Sequence, residues 1–389
     1  MNEHWLNTEL APDGTVYRDL NSNGVMDPYE NPALPVAERV RDLLARMTVE
    51  EKAGLLFQPR IMAGKNGAVV EQPSPGAAAI LMPEGTSRLV QDRHITHFNA
   101  TLLPDTPRDA ARWHNEVQKL AERTRLGIPV TISIDPAHSG LDNFAVSAKT
   151  GMFSRWPEAL GLAALYDTDA VREFARVARQ EYVGIGIRAA LHPQVDLATE
   201  ARWARQSATF GPSAELTGAY VRAYLEEFQG GPELGPTSVA CMTKHFPGGG
   251  PQRDGEDPHF PYGKEQVYPG EMFEYHLRPF FDAIDAGTSA IMPYYGVPVG
   301  AVYKGREIEE VGFGFNRDVI TGILREDLGY DGVVCTDWQI VEDSGLGSAR
   351  AWGVEHLDAR GRVAMILRAG CDQLGGERNT DAVLSLIED

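Results

Sequence analysis

Eight short apolar runs punctuate the chain: Leu55–Gln58, Ile95–Phe98, Val130–Asp135, Ile187–His192, Val239–His245, Ala290–Tyr295, Val333–Asp337 and Cys371–Leu374. Each is continuous rather than alternating, the pattern of a strand buried on both faces. Between most of them lie stretches whose apolar positions repeat at helical spacing, among them Pro107–Arg125, Thr168–Tyr182 and Ala214–Phe228. Strand alternating with helix predicts right-handed βαβ units and a parallel sheet, an α/β fold. Eight such strands favour a closed (β/α)8 TIM-type barrel over an open doubly wound sheet. No G-x-G-x-x-G follows any strand, so a dinucleotide fold lacks its fingerprint. Residues 60–93 are rich in Gly and Pro and read as an inserted loop, a candidate lid. The spacing divides the chain into an N-terminal extension, 1–36, and a barrel domain, 37–389, whose last residues DAVLSLIED fall in the eighth barrel helix.

The polar residues of interest sit at one place on these strands. Asp135 ends TISID, His192 ends IRAALH, Lys244 and His245 end VACMTKH, Tyr294 and Tyr295 end AIMPYY, and Asp337 ends VVCTD. One such residue is ordinarily a helix cap or a satisfied polar group. Five strands ending this way point instead to the C-terminal rim of a barrel, where the active sites of that fold lie.

Composition narrows the chemistry. The net charge of −19 argues against a nucleic-acid partner, which needs a basic face, and against docking on anionic lipid. No apolar run approaches the ~18 residues of a membrane-spanning helix. A neutral or cationic small molecule or oligosaccharide is compatible; the oligomeric state is not legible. Cys241, Cys335 and Cys371 are far apart in apolar segments and read as buried thiols. The polar start MNEHWLNTELAPDG lacks the basic, apolar pattern of a signal peptide, which leans the chain to the cytoplasm and leaves periplasm or secretion open.

The densest stretch is KHFPGGGPQRDGEDPHF, Lys244–Phe260. Lys-His at a strand end offers two adjacent hydrogen-bond donors for sugar hydroxyls, and the Gly triplet lets backbone approach a ligand closely. In GVVCTDWQ, Gly332–Gln339, a carboxylate ends a strand beside an aromatic ring that suits the apolar face of a pyranose.

These two elements, with RLGIPVTISIDPAH (Arg125–His138), ARWARQSATFG (Ala201–Gly211) and SAIMPYYG (Ser289–Gly296), resemble glycoside hydrolase family 3, the β-glucosidase family. The similarity runs in order from Ala37–Gln58 to Ala369–Gly376. It implies a retaining, exo-acting β-glycosidase whose nucleophile is Asp337. It also implies a first sugar subsite of Asp135, Arg205, Lys244, His245 and Tyr294, with Trp338 in its wall. No cofactor is required for such catalysis. Two departures stand out: Ala204 replaces the usual Gly before Arg205, and FGPSAEL lacks the acidic pair that usually follows.

Retaining glycosidases use two carboxyl groups ~5–5.5 Å apart, one attacking the anomeric carbon and one handling protons. In most β-glucosidases of the resembled family the acid/base is a Glu on a second α/β domain, which this chain does not contain. The alternatives are two. A β-N-acetylglucosaminidase branch uses an Asp-x-His pair, here Asp257 and His259, although this loop is longer and lacks that branch's usual His among its glycines. Alternatively, the barrel binds sugar without turnover.

One further element is local. Asp19–Glu30 reads DLNSNGVMDPYE, with oxygen ligands available from Asp19, Asn21, Asn23, the Val25 carbonyl, Asp27 and Glu30, and Gly24 at the sixth position. That is the 12-residue EF-hand spacing for a structural Ca²⁺, without a clear entering helix; the alternative is a hydrogen-bonded Asx-rich loop.

Overall fold

A computed structural model of the chain describes residues 8–72, 82–139, 151–344 and 347–387. Its centre is a seven-stranded sheet. The strands run in the order Val333–Val334, Ala290–Pro293, Ala240–Phe246, Ala189–Ala190, Thr131–Ile134, His97–Leu102, Arg60–Met62, and every adjacent pair is parallel. An eighth strand, Leu374–Gly375, pairs in parallel with Phe57–Gln58, and a parallel bridge joins Gln373 to Cys335. The strands are buried on both faces, with Phe98, Ile132, Ile134, Cys241, Ile291 and Val334 all inaccessible.

All eight apolar runs thus become strands, with shifted ends. The first continues after Pro59: that residue donates no hydrogen bond, but its carbonyl accepts the Asn99 N–H at 2.9 Å, and Arg60–Met62 carries on the pairing. The inserted loop therefore begins later than residue 60. Residues 73–81 of it lie outside the described residues, so the candidate lid is not described as a whole.

The connecting helices start where local chemistry dictates. Thr106 caps Pro107–Ala121 by accepting the Asp109 N–H at 3.2 Å, with Pro107 preset at the first helical position. Ser213 caps Ala214–Gln229, which ends at Gly230 in the left-handed region, φ 78°. That helix packs Tyr220, Val221, Leu225 and Phe228 inward. The helices Thr168–Gly184 and Phe273–Asp285 flank the same sheet. All three cysteines are buried and free. No described helix is long and apolar enough to cross a membrane.

The N-terminal loop lies against this body: Tyr29 donates from its hydroxyl to the Leu126 carbonyl at 3.3 Å, and Arg46 pairs with Asp27 at 2.8 Å. The strand Val16–Arg18 leads into it, so no helix enters the loop.

Candidate active site

The strand Ala240–Phe246 delivers Lys244 and His245, both buried. The peptide between them is cis. Lys244 Nζ donates to Asp135 Oδ1 at 3.2 Å, and Asn99 Nδ2 donates to Asp135 Oδ2 at 3.1 Å. His245 is held by a residue that the sequence did not single out. Asp196, wholly buried, accepts from His245 Nδ1 at 2.7 Å, from the His245 N–H at 3.1 Å and from the Gly249 N–H. A lone carboxylate in the apolar run Val195–Leu197 was its only sequence signal.

This partner fixes the imidazole. Burial, with Arg205 beside it, pushes His245 down to about 4, so the ring is neutral at pH 7. Its proton sits on Nδ1, facing Asp196. Nε2 then accepts from Arg205 Nη1 at 3.2 Å and lies 3.8 Å from Asp337 Oδ2. The two strand-end donors of Lys244 and His245 are therefore one: only Lys244 has donors to spare. Arg205 also donates from Nη2 to Gln194 Oε1 at 2.9 Å and stands over the Tyr294 ring at 6.0 Å. Tyr294 packs on His245 with ring centroids 4.4 Å apart.

Asp337 closes the group. No helix starts after it; its Oδ1 accepts the neighbouring Trp338 N–H at 2.8 Å. Burial alone would push its carboxyl up, but His245 when protonated, together with His259, the Tyr295 hydroxyl and Lys244, outweighs that and holds it below the ordinary carboxylate value. Asp337 Oδ2 is buried and, among the described residues, has no hydrogen-bond partner. The same is true of the Tyr294 hydroxyl, Trp338 Nε1, Gln194 Nε2 and Arg205 Nε. Buried polar atoms are nearly always paired. Five orphans among neighbouring residues mark a place where a ligand rich in hydroxyls would supply the missing bonds.

Trp338 lies flat on Gly375 and Gly376, where an added Cβ would come within 2.7 Å and 2.5 Å of its ring. Glu377 follows, 3 % exposed, and its Oε1 accepts the N–H groups of Val341 at 2.8 Å and Glu342 at 3.4 Å. Burial pushes Glu377 up to about 7.

The loop after the glycines reaches the same place. Asp257 Oδ1 accepts from His259 Nδ1 at 2.6 Å and from its N–H at 3.0 Å. Burial opposes the Asp257 charge, but these bonds carry it down to about 2. The His259 ring meets Tyr295 edge-on at 4.7 Å, and the Tyr295 hydroxyl donates to the Trp338 carbonyl at 2.9 Å. Arg350 ties this loop to the Asp337–Trp338 segment, donating from Nε to the His259 carbonyl at 3.3 Å and from Nη1 to the Trp338 carbonyl at 2.9 Å. The glycines pack closely on other segments: a Cβ at Gly250 would lie 1.7 Å from the Leu197 carbonyl, and one at Gly249 2.7 Å from Tyr294.

Two sequence expectations fall elsewhere. His192 does not join the site; it is buried between the Tyr182 and Tyr224 hydroxyls. In the Asp19–Glu30 loop the oxygens bond within the loop. Asp19 accepts the Asn23 and Gly24 N–H groups, and Glu30 accepts those of Leu20, Asn21 and Asp27. Asn21 and Asn23 turn their amide nitrogens toward Asp27 Oδ2 at 2.7 and 2.8 Å, and the Val25 N–H is bonded to Asn23 Oδ1. Among the described residues no group of three or more His, Cys, Asp or Glu is arranged to hold a metal.

Comparison with known proteins agrees with the motifs. Residues 48–388 match the family model for the glycosyl hydrolase family 3 N terminal domain. The chain is 49% identical to β-glucosidase C of Emericella nidulans over 93% of its own length and 56% of that protein. It is 39% identical to a periplasmic β-glucosidase/β-xylosidase of Dickeya chrysanthemi, over 99% of this chain and 60% of that one. It thus spans little more than half the length of these curated relatives. The lean to the cytoplasm draws no support from a relative named as periplasmic. A β-glucosidase structure from Erythrobacter marinus superposes with a TM-score of 0.71 at 23% identity, over 93% of this chain and 43% of that one, which shows the shared fold. On the family match and the two curated relatives, this chain belongs to glycosyl hydrolase family 3 and carries its N-terminal domain.

Proposed function

We propose that the chain is the sugar-binding and nucleophile-bearing part of a retaining, exo-acting β-glucosidase, built on an eight-stranded parallel sheet closed into a (β/α)8 barrel. The closure reading rests on the Leu374–Gly375 pairing with the first strand and the Cys335–Gln373 bridge. The observation that carries the function is the cluster of orphaned buried polar atoms around an Asp337 carboxylate held ionised. Asp135, Arg205, Lys244, His245, Tyr294 and Trp338 would form the first subsite. Lys244 would grip a hydroxyl of the non-reducing sugar, and His245 would position Arg205 and the nucleophile. Asp337 Oδ2 attacks the anomeric carbon as the bond to the leaving oxygen breaks, giving a glycosyl ester; water later cleaves it.

The leaving oxygen needs a proton. The Asp257–His259 contact at 2.6 Å, tied by Arg350 to the nucleophile segment, favours a reading in which His259 gives that proton and then takes one from water. A Glu beyond this chain is the other source implied by the family resemblance. His259→Ala decides between them: it should slow glucosides with poor leaving groups and spare those with activated ones.

The nucleophile is tested with a 2-fluoro glucoside bearing a good leaving group. The adduct should map to Gly332–Gln339, and Asp337→Ala should abolish it. A label on Glu256, Asp257 or Glu377 overturns the assignment, and labelling only by the N-acetylglucosamine analogue moves the activity to that substrate.

Calcium is proposed as a structural ligand of the Asp19–Glu30 loop. The backbone spacing suits it, and rotation of the Asn21 and Asn23 amides would turn their oxygens inward, against competition from Arg46 for Asp27. Calorimetric titration with Ca²⁺ should give heat and raise the melting temperature; no heat and no shift refutes it.

A further inference from the structure

Arg60 has no part in the steps above. Inside the sheet, side chains two residues apart on a strand face the same way. Gln58 donates from Nε2 to Ser133 Oγ at 2.9 Å on one side, and its Oε1 meets Cys335 Sγ at 3.2 Å on the other. Two residues further along these three strands come Arg60, Asp135 and Asp337. The order repeats one layer up, so Arg60 stands between the sugar-side carboxylate and the nucleophile. The electrostatics agree: burial opposes the guanidinium charge most, while Tyr295, Asp135 and Asp337 favour it and Arg350 opposes it.

The other cations of the site each already hold a protein partner. Lys244 is on Asp135, Arg205 on Gln194 and His245, and Arg350 on two backbone carbonyls. Among the described residues the Arg60 side chain makes no hydrogen bond and no ion pair, so its five N–H donors are unspent. It lies beyond ion-pair distance of both carboxylates. A group that bridges this gap must accept from a guanidinium and donate to a carboxylate. A hydroxyl does both. A carboxylate would meet like charge on two sides.

We propose that Arg60 is a further substrate-binding residue, donating to a hydroxyl oxygen of the neutral non-reducing-end sugar between Asp135 and Asp337. The proposal rests on the reading of Asp135, Lys244 and Asp337 as the sugar subsite. It separates binding from folding, because an unpaired, largely buried cation stabilises nothing in the free protein.

The test uses glucose and its monodeoxy derivatives, titrated calorimetrically into the wild type, Arg60→Met and Lys244→Ala. A lost charged hydrogen bond should weaken glucose binding by about 10–150-fold in Arg60→Met. One deoxy sugar should bind the wild type weakly and lose nothing more in that variant, and the melting temperature without sugar should be equal or higher. Binding of glucose by Arg60→Met within twofold of wild type overturns the proposal, as does a lowered melting temperature with every deoxy sugar losing equally in both proteins. If Lys244→Ala loses glucose and Arg60→Met does not, this inference alone fails. If the wild type binds none of the sugars, the subsite reading fails and takes this one with it.

Discussion

Replacing Glu377 by glutamine separates charge from shape just past the last strand. Both side chains can accept the Val341 and Glu342 N–H groups through one oxygen; only glutamate titrates. Burial pushes Glu377 up to about 7 from an ordinary 4.5. Between those pH values the folded state keeps a proton that the unfolded chain has released, so stability falls as pH rises through the window and the whole penalty is present above it. At ~1.4 kcal/mol per pH unit the penalty is about 3 kcal/mol. The unfolding entropy of a chain this long is roughly 0.8 kcal/mol/K, so that penalty corresponds to about 4 °C. Glu377→Gln should therefore melt with the wild type near pH 5 and about 4 °C above it at pH 8. Comparing the two proteins at each pH matters. His97, His245 and His276, pushed down to about 4 chiefly by burial, contribute stability that is full above pH 6.5 and lost as pH falls through 4, equally in both. Differential scanning at pH 5, 6, 7 and 8 is the assay. A gap between variant and wild type that is the same at pH 5 and pH 8 would refute the buried-charge argument.

Asp196→Asn removes the acceptor that holds the His245 proton on Nδ1 and presents an amide N–H in its place; labelling by the 2-fluoro glucoside should slow about 10–150-fold while still mapping to Asp337. An unchanged labelling rate would deny Asp196 its positioning role. Gly375→Ala would put a Cβ 2.2 Å from the Thr336 carbonyl and 2.7 Å from the Trp338 ring. It should cost about 1–3 kcal/mol and slow labelling, whereas Gly151→Ala, whose Cβ meets nothing within 4 Å, should leave labelling unchanged.

The continuous apolar runs made the parallel strands legible, because burial on both faces leaves no other pattern. Their ends were less so. Pro59 reads as a stop, yet a proline carbonyl still accepts, and Arg60 was hidden in what looked like a loop. The strand-end rule placed Asp135, Lys244 and Asp337 together and misplaced His192. What decides that case is parity: a strand-end side chain faces either the interior or the covering helices, and His192 faces the helices that carry Tyr182 and Tyr224. The glycine triplet was visible, but what it approaches was not, since Leu197 and Tyr294 come from other segments. Asp196 and Glu377 matter through burial, which no local pattern reports.

The stitch between the first and last strands has a temporal side. Gln373 Nε2 donates to the Leu55 carbonyl across 318 residues of chain, beside the pairing of Leu374 with Phe57. At roughly 5–20 residues per second, a ribosome takes about 15–60 seconds to make that intervening length. Throughout, the first strand presents one open edge of backbone donors and acceptors, the kind of template that captures other nascent chains. Gly375, in the strand that shuts this edge, also lies against the Trp338 ring, so the Asp337–Trp338 segment gains its floor at the same moment, late in translation.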